Sequence, residues 1–342
     1  MIIEDVFKQN LKFISQTKLD TEKTRRQYTK TDTRDFVTIG KVDLPSGRIR
    51  IGDPFVYMCE GKLSPELDRT VAPGTYPVEI AVSKTPVAGM RICCARIRFS
   101  SNSAASYTLA EPTHETAVSI CKDGDMTGFP VDAGMLAFMD TNVLPQYISY
   151  FEKCRTDNTE FNIYDDYFAQ KFEESYKKMP EYQRAGGDFL EWAIPETNHR
   201  AVMLSTGFGD GFYQCYWGLD MNGEICELTV PLIDSDIVDK ANKEFLDIWD
   251  GPEYCIVTKH IADGGKITYM VHDEPSGRPG DSGWQFFGEN ENDEYWSNAK
   301  NYVLYSVHRL ADRYPAIIAL LRSPDGTAFF CDKNGNFVPD EG

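Results

Sequence analysis

Aspartates beside turns are the residues of this chain whose chemistry comes nearest to that of a metal site. Asp132, Asp140, Asp210 and Asp220 all flank glycine-rich or turn-rich boundaries in the first two thirds of the sequence. Hard cations require several oxygen ligands brought together, but aspartate is also the residue that closes turns. The spacing therefore predicts structural roles first and leaves a carboxylate metal site as the enzymatic alternative. No cofactor is predicted.

Two short motifs resemble catalytic or phosphate-binding signatures and depart from them. His114-Glu115 begins a zinc-protease motif, but Val118 occupies the position of the second histidine. The segment Gly207–Gly211 (GFGDG) is not followed by Lys-Ser or Lys-Thr, and it leads into the strand-like FYQCYW rather than into a helix. We expect a tight bend between strands there.

A cysteine–histidine pair is the remaining catalytic pattern, because Cys255 shares a segment with His260 and His272. A nucleophilic thiol needs an activating base within reach and some exposure. Cys255 lies inside an apolar run, which predicts a buried small side chain. No catalytic residue is predicted.

An acidic run near the C-terminus has a different character. Glu289, Glu291, Asp293 and Glu294 precede Tyr295 and Trp296 and lack the glycine and ligand spacing of a calcium loop. Aromatic residues beside charges are typical of protein recognition sites, where the aromatics supply buried area and the acids steer association. The alternative is a solvated loop with Trp296 in the core. The predicted partner-binding residues are Asp273, Glu274, Glu289, Glu291, Asp293, Glu294 and Tyr295.

The elements around this run form one small module. Three strands are expected at Cys255–Thr258, Ile267–Val271 and Trp284–Phe287, and apolar residues at helical spacing predict a helix over Trp296–Arg313. Asp332–Gly335 is a hairpin turn between two final strands. We expect a small antiparallel sheet with one packed helix, in which Trp284 belongs to the core.

The rest of the chain predicts a larger, β-rich domain with inserted helices, so that the fold class is α+β. A helix is expected over residues 2–14, strand signals fill residues 36–99 and 201–230, and helical spacing appears over residues 141–179. The predicted divisions are an N-terminal helix and basic connector (1–35), the larger domain (36–249) and the small domain (250–342).

Charge and cysteine usage restrict the classes of partner. The chain carries 53 acidic and 35 basic residues, for a net charge of −18. Residues 1–50 are net +4, residues 51–240 net −14 and residues 241–342 net −8. Such a surface repels phosphate backbones and attracts basic proteins. We expect no direct nucleic-acid binding and a protein partner that is basic.

The expected location is the cytoplasm. Nine cysteines are scattered without a CxxC pair, which is typical of a reduced intracellular protein. The N-terminus has acidic residues at positions 4 and 5 and no long apolar core, so no secretory signal is expected. No run of about eighteen apolar residues occurs, and no membrane span is predicted. These patterns do not specify an oligomeric state.

Two family resemblances cover most of the sequence. The order of CIVTK, YMVHDEP, DSGWQFF, ENENDEYW, YPAIIALL and GTAFFCDKNGNF, over about residues 250–340, resembles a bacterial family grouped with the immunity proteins of polymorphic toxin systems. VDLPSGRIRIGDPF, VAPGTYPVEIAV, DAGMLAFMD and GFGDGFYQCYWGLDMNGEICELTVPLID, over about residues 36–235, resemble a second bacterial family of uncharacterised domains. Its members occur near or fused to predicted immunity modules.

These resemblances imply a function in binding. Together with the acidic surface and the incomplete catalytic motifs, they predict a non-enzymatic immunity protein that occludes the active face of a toxin domain. Two alternatives stay open. One is an enzyme with a carboxylate metal site in the larger domain, and the other is a scaffold or interaction protein without a toxin partner.

Overall fold

Alternating apolar residues separated by turn signals produce a mixed α+β structure, as the sequence predicts. The computed structural model describes residues 3–31, 33–85, 89–113 and 128–340. The chain divides into two units, one formed by residues 4–239 and the other by residues from 240 onward. Among the described residues, no helix has both the length and the hydropathy needed to cross a membrane.

The larger unit begins with the expected helix and contains three β-sheets. Its helices are α1 (Ile3–Ile14), α2 (Thr21–Gln27), α3 (Leu144–Asp157) and α4 (Ala169–Lys178), the last preceded by a π-helical turn, Tyr164–Phe168. Its strands are β1 (Arg34–Leu44), β2 (Ile49–Gly52), β3 (Gly74–Thr85), β4 (Gly89–Arg98), β5 (Ser106–Leu109), β6 (Phe129–Val131), β7 (Met135–Asp140), β8 (Phe189–Ala193), β9 (Arg200–Ser205), β10 (Gly211–Tyr213), β11 (Tyr216–Leu219) and β12 (Ile225–Pro231).

Two antiparallel sheets of this unit pack face to face. The six-stranded sheet has the order β1-β3-β4-β12-β11-β5, and the four-stranded sheet has the order β2-β7-β9-β8. Strand β7 shows how the layers are arranged, because all six of its residues are buried. Leu136 and Phe138 face the core between the sheets, whereas Ala137 and Met139 pack with the aromatic residues of α3 and α4. The four-stranded sheet is therefore the middle of three layers.

Helix α5 (Ser235–Ile248) contains the boundary at residue 240, and its C-terminal part belongs to the smaller unit. Its strands are β13 (Tyr254–Thr258), β14 (Ile267–His272), β15 (Asp281–Gly288), β16 (Tyr302–Ser306), β17 (Thr327–Cys331) and β18 (Phe337–Pro339), and its helices are α6 (Lys259–Ala262), α7 (Asp293–Trp296) and α8 (Val307–Arg313).

These strands form one sheet in the order β16-β13-β15-β14-β17-β18. Four of its neighbouring pairs are antiparallel, and β13 runs parallel to β15. Trp284 is fully buried in its core beside Phe286, Val307 and Leu310, as expected for a core residue. The three predicted strands and the final hairpin are confirmed.

The predicted helix over Trp296–Arg313 is wrong in its first half. Tyr302–Ser306 is a strand that pairs antiparallel with β13, and helix α8 begins only at Val307. The segment Tyr-Val-Leu-Tyr has the aromatic and β-branched composition of a strand, and its apolar spacing also fits a helix. Pairing with β13 decides between the two, and the side chain of Ser306 caps the helix that follows.

Candidate functional site

The acidic run forms a turn and one short helix after strand β15. The side chain of Asn292 caps α7 by accepting a hydrogen bond of 2.9 Å from the Tyr295 backbone N–H. Asp293 and Glu294 occupy the first turn of that helix, and both are exposed, as is Glu289. Three of the predicted acids therefore face solvent within one short segment.

Glu291 is oriented differently, because its side chain is fully buried. One carboxylate oxygen accepts hydrogen bonds from the Gly288 N–H at 2.9 Å and from Nε1 of Trp296 at 2.8 Å. The other lies 3.1 Å from Nδ1 of His260. Glu291 thus holds the turn in shape from inside.

Tyr295 covers the same histidine. Its ring stacks on that of His260 with centroids 4.7 Å apart and an interplanar angle of 15°. Partial burial, reinforced by the negative charge of Glu291, raises the pKa of the Tyr295 hydroxyl, which stays neutral. The stack presents a flat, half-exposed aromatic surface beside the exposed acids.

The remaining predicted acids, Asp273 and Glu274, lie in the loop after strand β14, and both are exposed. A carboxylate oxygen of Asp273 accepts a hydrogen bond of 2.7 Å from the side chain of Gln285 on β15. Gln285 alternates with the buried Trp284 and Phe286, so Asp273 borders the face of the sheet that points away from the core.

That outer face of the smaller sheet carries apolar side chains, and sequence reasoning did not identify it. Leu304 on β16 is 65% exposed and Phe330 on β17 is 44% exposed. Partly exposed aromatic rings link them across the strands: Phe287 contacts Tyr269, with centroids 5.9 Å apart, and Tyr302, at 6.3 Å. We call these five residues the outer face.

The signal for the outer face was present in strand alternation. In Ile267–His272 and Asp281–Gly288, the residues that alternate with the buried ones on the second face are Tyr269, Val271, Gln285 and Phe287. All four are half-buried, and three of them are apolar or aromatic. A sheet covered by helices on one side ordinarily shows polar residues on the other. An apolar second face marks a surface suited to a partner.

The four aspartates of the enzymatic alternative are divided among different places. Asp140 is fully buried and accepts hydrogen bonds from the backbone and hydroxyl of Ser46, at 2.9 and 2.8 Å, which fastens the β1–β2 turn. Asp220 closes the β11–β12 hairpin, where a hydrogen bond from Asn102 lowers the pKa of its carboxyl.

Asp132 and Asp210 lie in a third location, just before strands β7 and β10. Asp210 accepts a hydrogen bond of 2.9 Å from the Gly134 N–H, and the backbone N–H of the exposed Asp132 donates to Asp53. In the described part of the chain, no group of three or more His, Cys, Asp or Glu side chains is arranged to hold a metal ion. The four predicted aspartates are not brought together.

Cys255 is buried, as predicted. Its thiol donates to the Tyr305 carbonyl at 3.4 Å, and burial raises the pKa of that thiol, so it is a protonated core side chain. The ring of His272 stacks on Trp284 with centroids 4.4 Å apart, and its nitrogens contact the carbonyls of Ser323 and Ser282. These contacts give both side chains structural roles.

The two remaining motifs have separate outcomes. The glycine-rich segment Gly207–Gly211 joins β9 to β10, so the predicted bend between strands is confirmed. His114 and Glu115 lie outside the described residues.

Family models match a segment of each unit. A family model described as a protein of unknown function, DUF4241, matches residues 42–230, which is more than half of the chain. The chain therefore belongs to this family. A second model, the immunity protein Imm33 domain, matches residues 255–341. The two resemblances predicted from the sequence are confirmed. Neither the curated proteins nor the solved structures contain a match.

Proposed function

We propose that this protein is a cytoplasmic immunity protein that neutralises a toxin domain by binding it through the outer face. The match of residues 255–341 to an immunity domain supports the class of function. The observation that carries the binding site is the exposure of Leu304 and Phe330 on a sheet face already lined with partly exposed aromatic rings.

Apolar patches of this kind are uncommon on proteins that act alone and are typical of recognition surfaces. Buried aromatic rings contribute much of the energy of protein–protein binding, because each removes a large area from water at a small cost in side-chain entropy. The outer face supplies Tyr269, Phe287 and Tyr302 for this purpose. Leu304 and Phe330 extend it towards both edges of the sheet.

Exposed acids next to this face define the charge of the partner. Asp273 is hydrogen-bonded to Gln285, whose neighbour along the same side of β15 is Phe287. Phe287 in turn contacts Trp296, with centroids 5.2 Å apart, at the end of the segment that carries Asp293 and Glu294. Such acids attract a basic protein and accelerate its association. The partner is thus a toxin with a basic surface around its active cleft.

Neutralisation needs no chemistry from the immunity protein. Once the outer face covers a basic cleft, the acids occupy the positions that an anionic substrate would take, and substrate is excluded. The buried carboxylate of Glu291 fixes the segment that bears these acids before the partner arrives, which lowers the entropy lost on binding.

Co-expression tests the proposed function. Candidate toxin domains encoded beside the gene are expressed in bacteria with and without the full chain, and growth is followed. Growth restored by the chain against at least one toxin supports the proposal. If every candidate remains equally toxic with and without the chain, the proposal is wrong.

A charge-reversal variant shows whether the acids take part. Changing Glu289, Asp293 and Glu294 to Lys removes the negative segment and leaves the buried Glu291 intact. The control changes Asp157, Glu160 and Glu181 to Lys, which are exposed acids of the larger unit and give the same change in net charge. Only the first variant should lose neutralisation.

A further inference from the structure

A cleft of about 690 Å³ lies in the larger unit, within the size range of small-molecule sites. It forms at one end of the four-stranded sheet, where strands β2 and β9 end and strands β7 and β8 begin. Loops from four strands and the segment before α4 therefore converge there. Nothing in the proposed immunity function uses this cleft.

Three arginines and two aspartates, Asp165 and Asp188, line the cleft, so its charged side chains are net +1 in a region of the chain, residues 51–240, that is net −14. Arg184 pairs with the buried Asp188 through Nη2 at 2.5 Å and Nε at 3.0 Å. Burial and the adjacent positive charge of Arg184 lower the pKa of Arg91, with Asp188 opposing them. Two cations are thus held close together around one carboxylate.

The third arginine has no carboxylate of its own. Arg155, at the end of α3, donates to Sγ of Cys59 at 3.4 Å, and among the described residues it has no ion-pair partner within 4.0 Å. Burial raises the pKa of the Cys59 thiol despite the nearby guanidinium, so the thiol stays neutral and leaves the charge of Arg155 uncompensated. A guanidinium in this state is suited to a carboxylate or phosphate.

An aromatic wall faces the same space. Phe55 and Tyr164 both line the cleft, with ring centroids 5.6 Å apart, and Tyr164 is 38% exposed. Tyr164 is the first residue of the π-helical turn, a feature that occurs often at functional sites.

The glycine-rich bend between β9 and β10 forms another part of the cleft through Gly207 and Gly209. Gly209 has φ +112°, and a Cβ atom there would meet no heavy atom within 4 Å. Glycine is required for its backbone conformation, and the space beside it is open.

We infer that this cleft binds a small organic anion that carries a flat ring. The anionic group, a carboxylate or a phosphate, lies against Arg155, with Arg91 and Arg184 adding positive potential. The ring lies against Phe55 and Tyr164, where its apolar face leaves water. The guanidinium supplies two parallel hydrogen bonds to the anion, which determines its orientation.

Calorimetric titration of the full chain tests this site with three probes. Adenosine monophosphate carries a phosphate, indole-3-acetate carries a carboxylate, and adenosine is a neutral ring compound. We expect saturable binding of at least one anionic probe below about 1 mM, and binding of adenosine at least tenfold weaker. Comparing the two anions shows which head group is preferred.

Two variants locate the site. Arg155→Gln removes the uncompensated charge, and Tyr164→Ala removes an exposed part of the ring wall. Circular dichroism shows whether each variant folds, and if one does not, the other still tests the site. Each should weaken anion binding at least tenfold. Arg25→Gln is the control, because it removes an exposed arginine from α2, outside the cleft. The inference is overturned if neither anion binds at about 1 mM, if adenosine binds as tightly as the anions, or if the folded cleft variants bind like the control.

Discussion

The buried carboxylate of Glu291 accepts a hydrogen bond of 2.8 Å from the indole N–H of Trp296. The same oxygen accepts from the Gly288 N–H, and the other lies 3.1 Å from a ring nitrogen of His260. A single side chain therefore joins the end of β15, helix α6 and helix α7. The exposed acids that we assign to toxin binding are carried by the turn that it fixes.

Changing Glu291→Ala should destabilise the smaller unit by about 1–3 kcal/mol, because the Gly288 N–H and the indole N–H of Trp296 lose the carboxylate oxygen that accepts from both. Chemical denaturation followed by tryptophan fluorescence measures the loss. Glu289→Ala is the matched control: this neighbouring glutamate is exposed, and its substitution should change the free energy of unfolding by less than about 0.5 kcal/mol. Equal effects of the two substitutions would contradict the structural role of Glu291.

Alanine substitutions at two glycines test the packing of the DSGW segment, residues 281–284. Gly283 and Gly277 share a φ of +78°, so alanine is strained at both positions. At Gly283 the added Cβ would also lie 2.1 Å from the Asp273 carbonyl oxygen, whereas at Gly277 it meets nothing within 4 Å.

We expect Gly277→Ala to lower the stability of the smaller unit by about 1–2 kcal/mol, and Gly283→Ala to lower it by at least about 2 kcal/mol more, because the backbone must shift. Thermal unfolding of both variants measures the difference. Similar melting temperatures for the two variants would contradict the close approach of Gly283 to the Asp273 carbonyl oxygen.

The larger unit contains a buried charge network centred on Arg96. This side chain donates to Glu79 at 2.6 Å and to the buried Glu227 at 3.1 Å, and it lies 3.8 Å above the ring of Tyr28. Arg96→Met should cost about 3–5 kcal/mol, because Glu227 is left as an unpaired buried charge.

A second substitution, Glu227→Gln, distinguishes the effect of the buried charge of Glu227 from the effect of lost packing at Arg96. If burial of Glu227 is the cause, the double variant Arg96→Met with Glu227→Gln should recover part of the lost stability in denaturant titrations. A double variant as unstable as the sum of the two single variants would argue that the network does not act as a unit.

The pKa of the Asp43 carboxyl makes the stability of the larger unit depend on pH. Burial by itself would raise the pKa of this carboxyl, but hydrogen bonds from Arg200 and Thr75 outweigh it and lower the pKa to about 2. Since the folded value lies below the unfolded one, the stabilisation is fully present above about pH 4 and is lost as the pH falls towards 2.

Asp43→Asn should therefore reduce the free energy of unfolding at neutral pH by about 1–2 kcal/mol, and the difference from the unsubstituted protein should shrink below about pH 3. Urea titrations at several pH values measure it. Asp132→Asn, at an exposed carboxyl, is the control and should show little change at any pH. A loss for Asp43→Asn that is independent of pH would refute the electrostatic explanation.

Local patterns predict much of this fold, and pairing between distant segments accounts for what they miss. Asp332–Gly335 predicts the final hairpin because the turn residues determine its geometry. The stretch Tyr302–Ser306 fits both a helix and a strand, and only its pairing with β13 selects the strand. The parallel arrangement of β13 and β15 likewise depends on the long connection between them.

The candidate sites also combine features that are visible in the sequence with features that depend on contacts between distant segments. The acidic run was visible in the sequence, but the inward orientation of Glu291 depends on Trp296 and on His260, which lies 31 residues away. The outer face could have been read from alternation in β14 and β15, whereas the contribution of Phe330 required knowing that β17 pairs with β14. The arginine cleft combines residues from Phe55 to Gly209, and no local pattern brings them together.

The central claim is that the outer face binds a toxin, and the affinity of the neutralised toxin for variants of this face tests it most directly. Leu304→Arg with Phe330→Arg places positive charge on the exposed apolar side chains. Met221→Arg with Phe36→Arg is the matched control, because it adds the same charge at two apolar side chains of the larger unit that are 87% and 43% exposed. We predict that the face variant weakens binding at least about 100-fold, as expected when large apolar contacts of an interface are replaced by charges, while the control binds like the unsubstituted protein. Equal affinity of all three proteins for the toxin would contradict the claim.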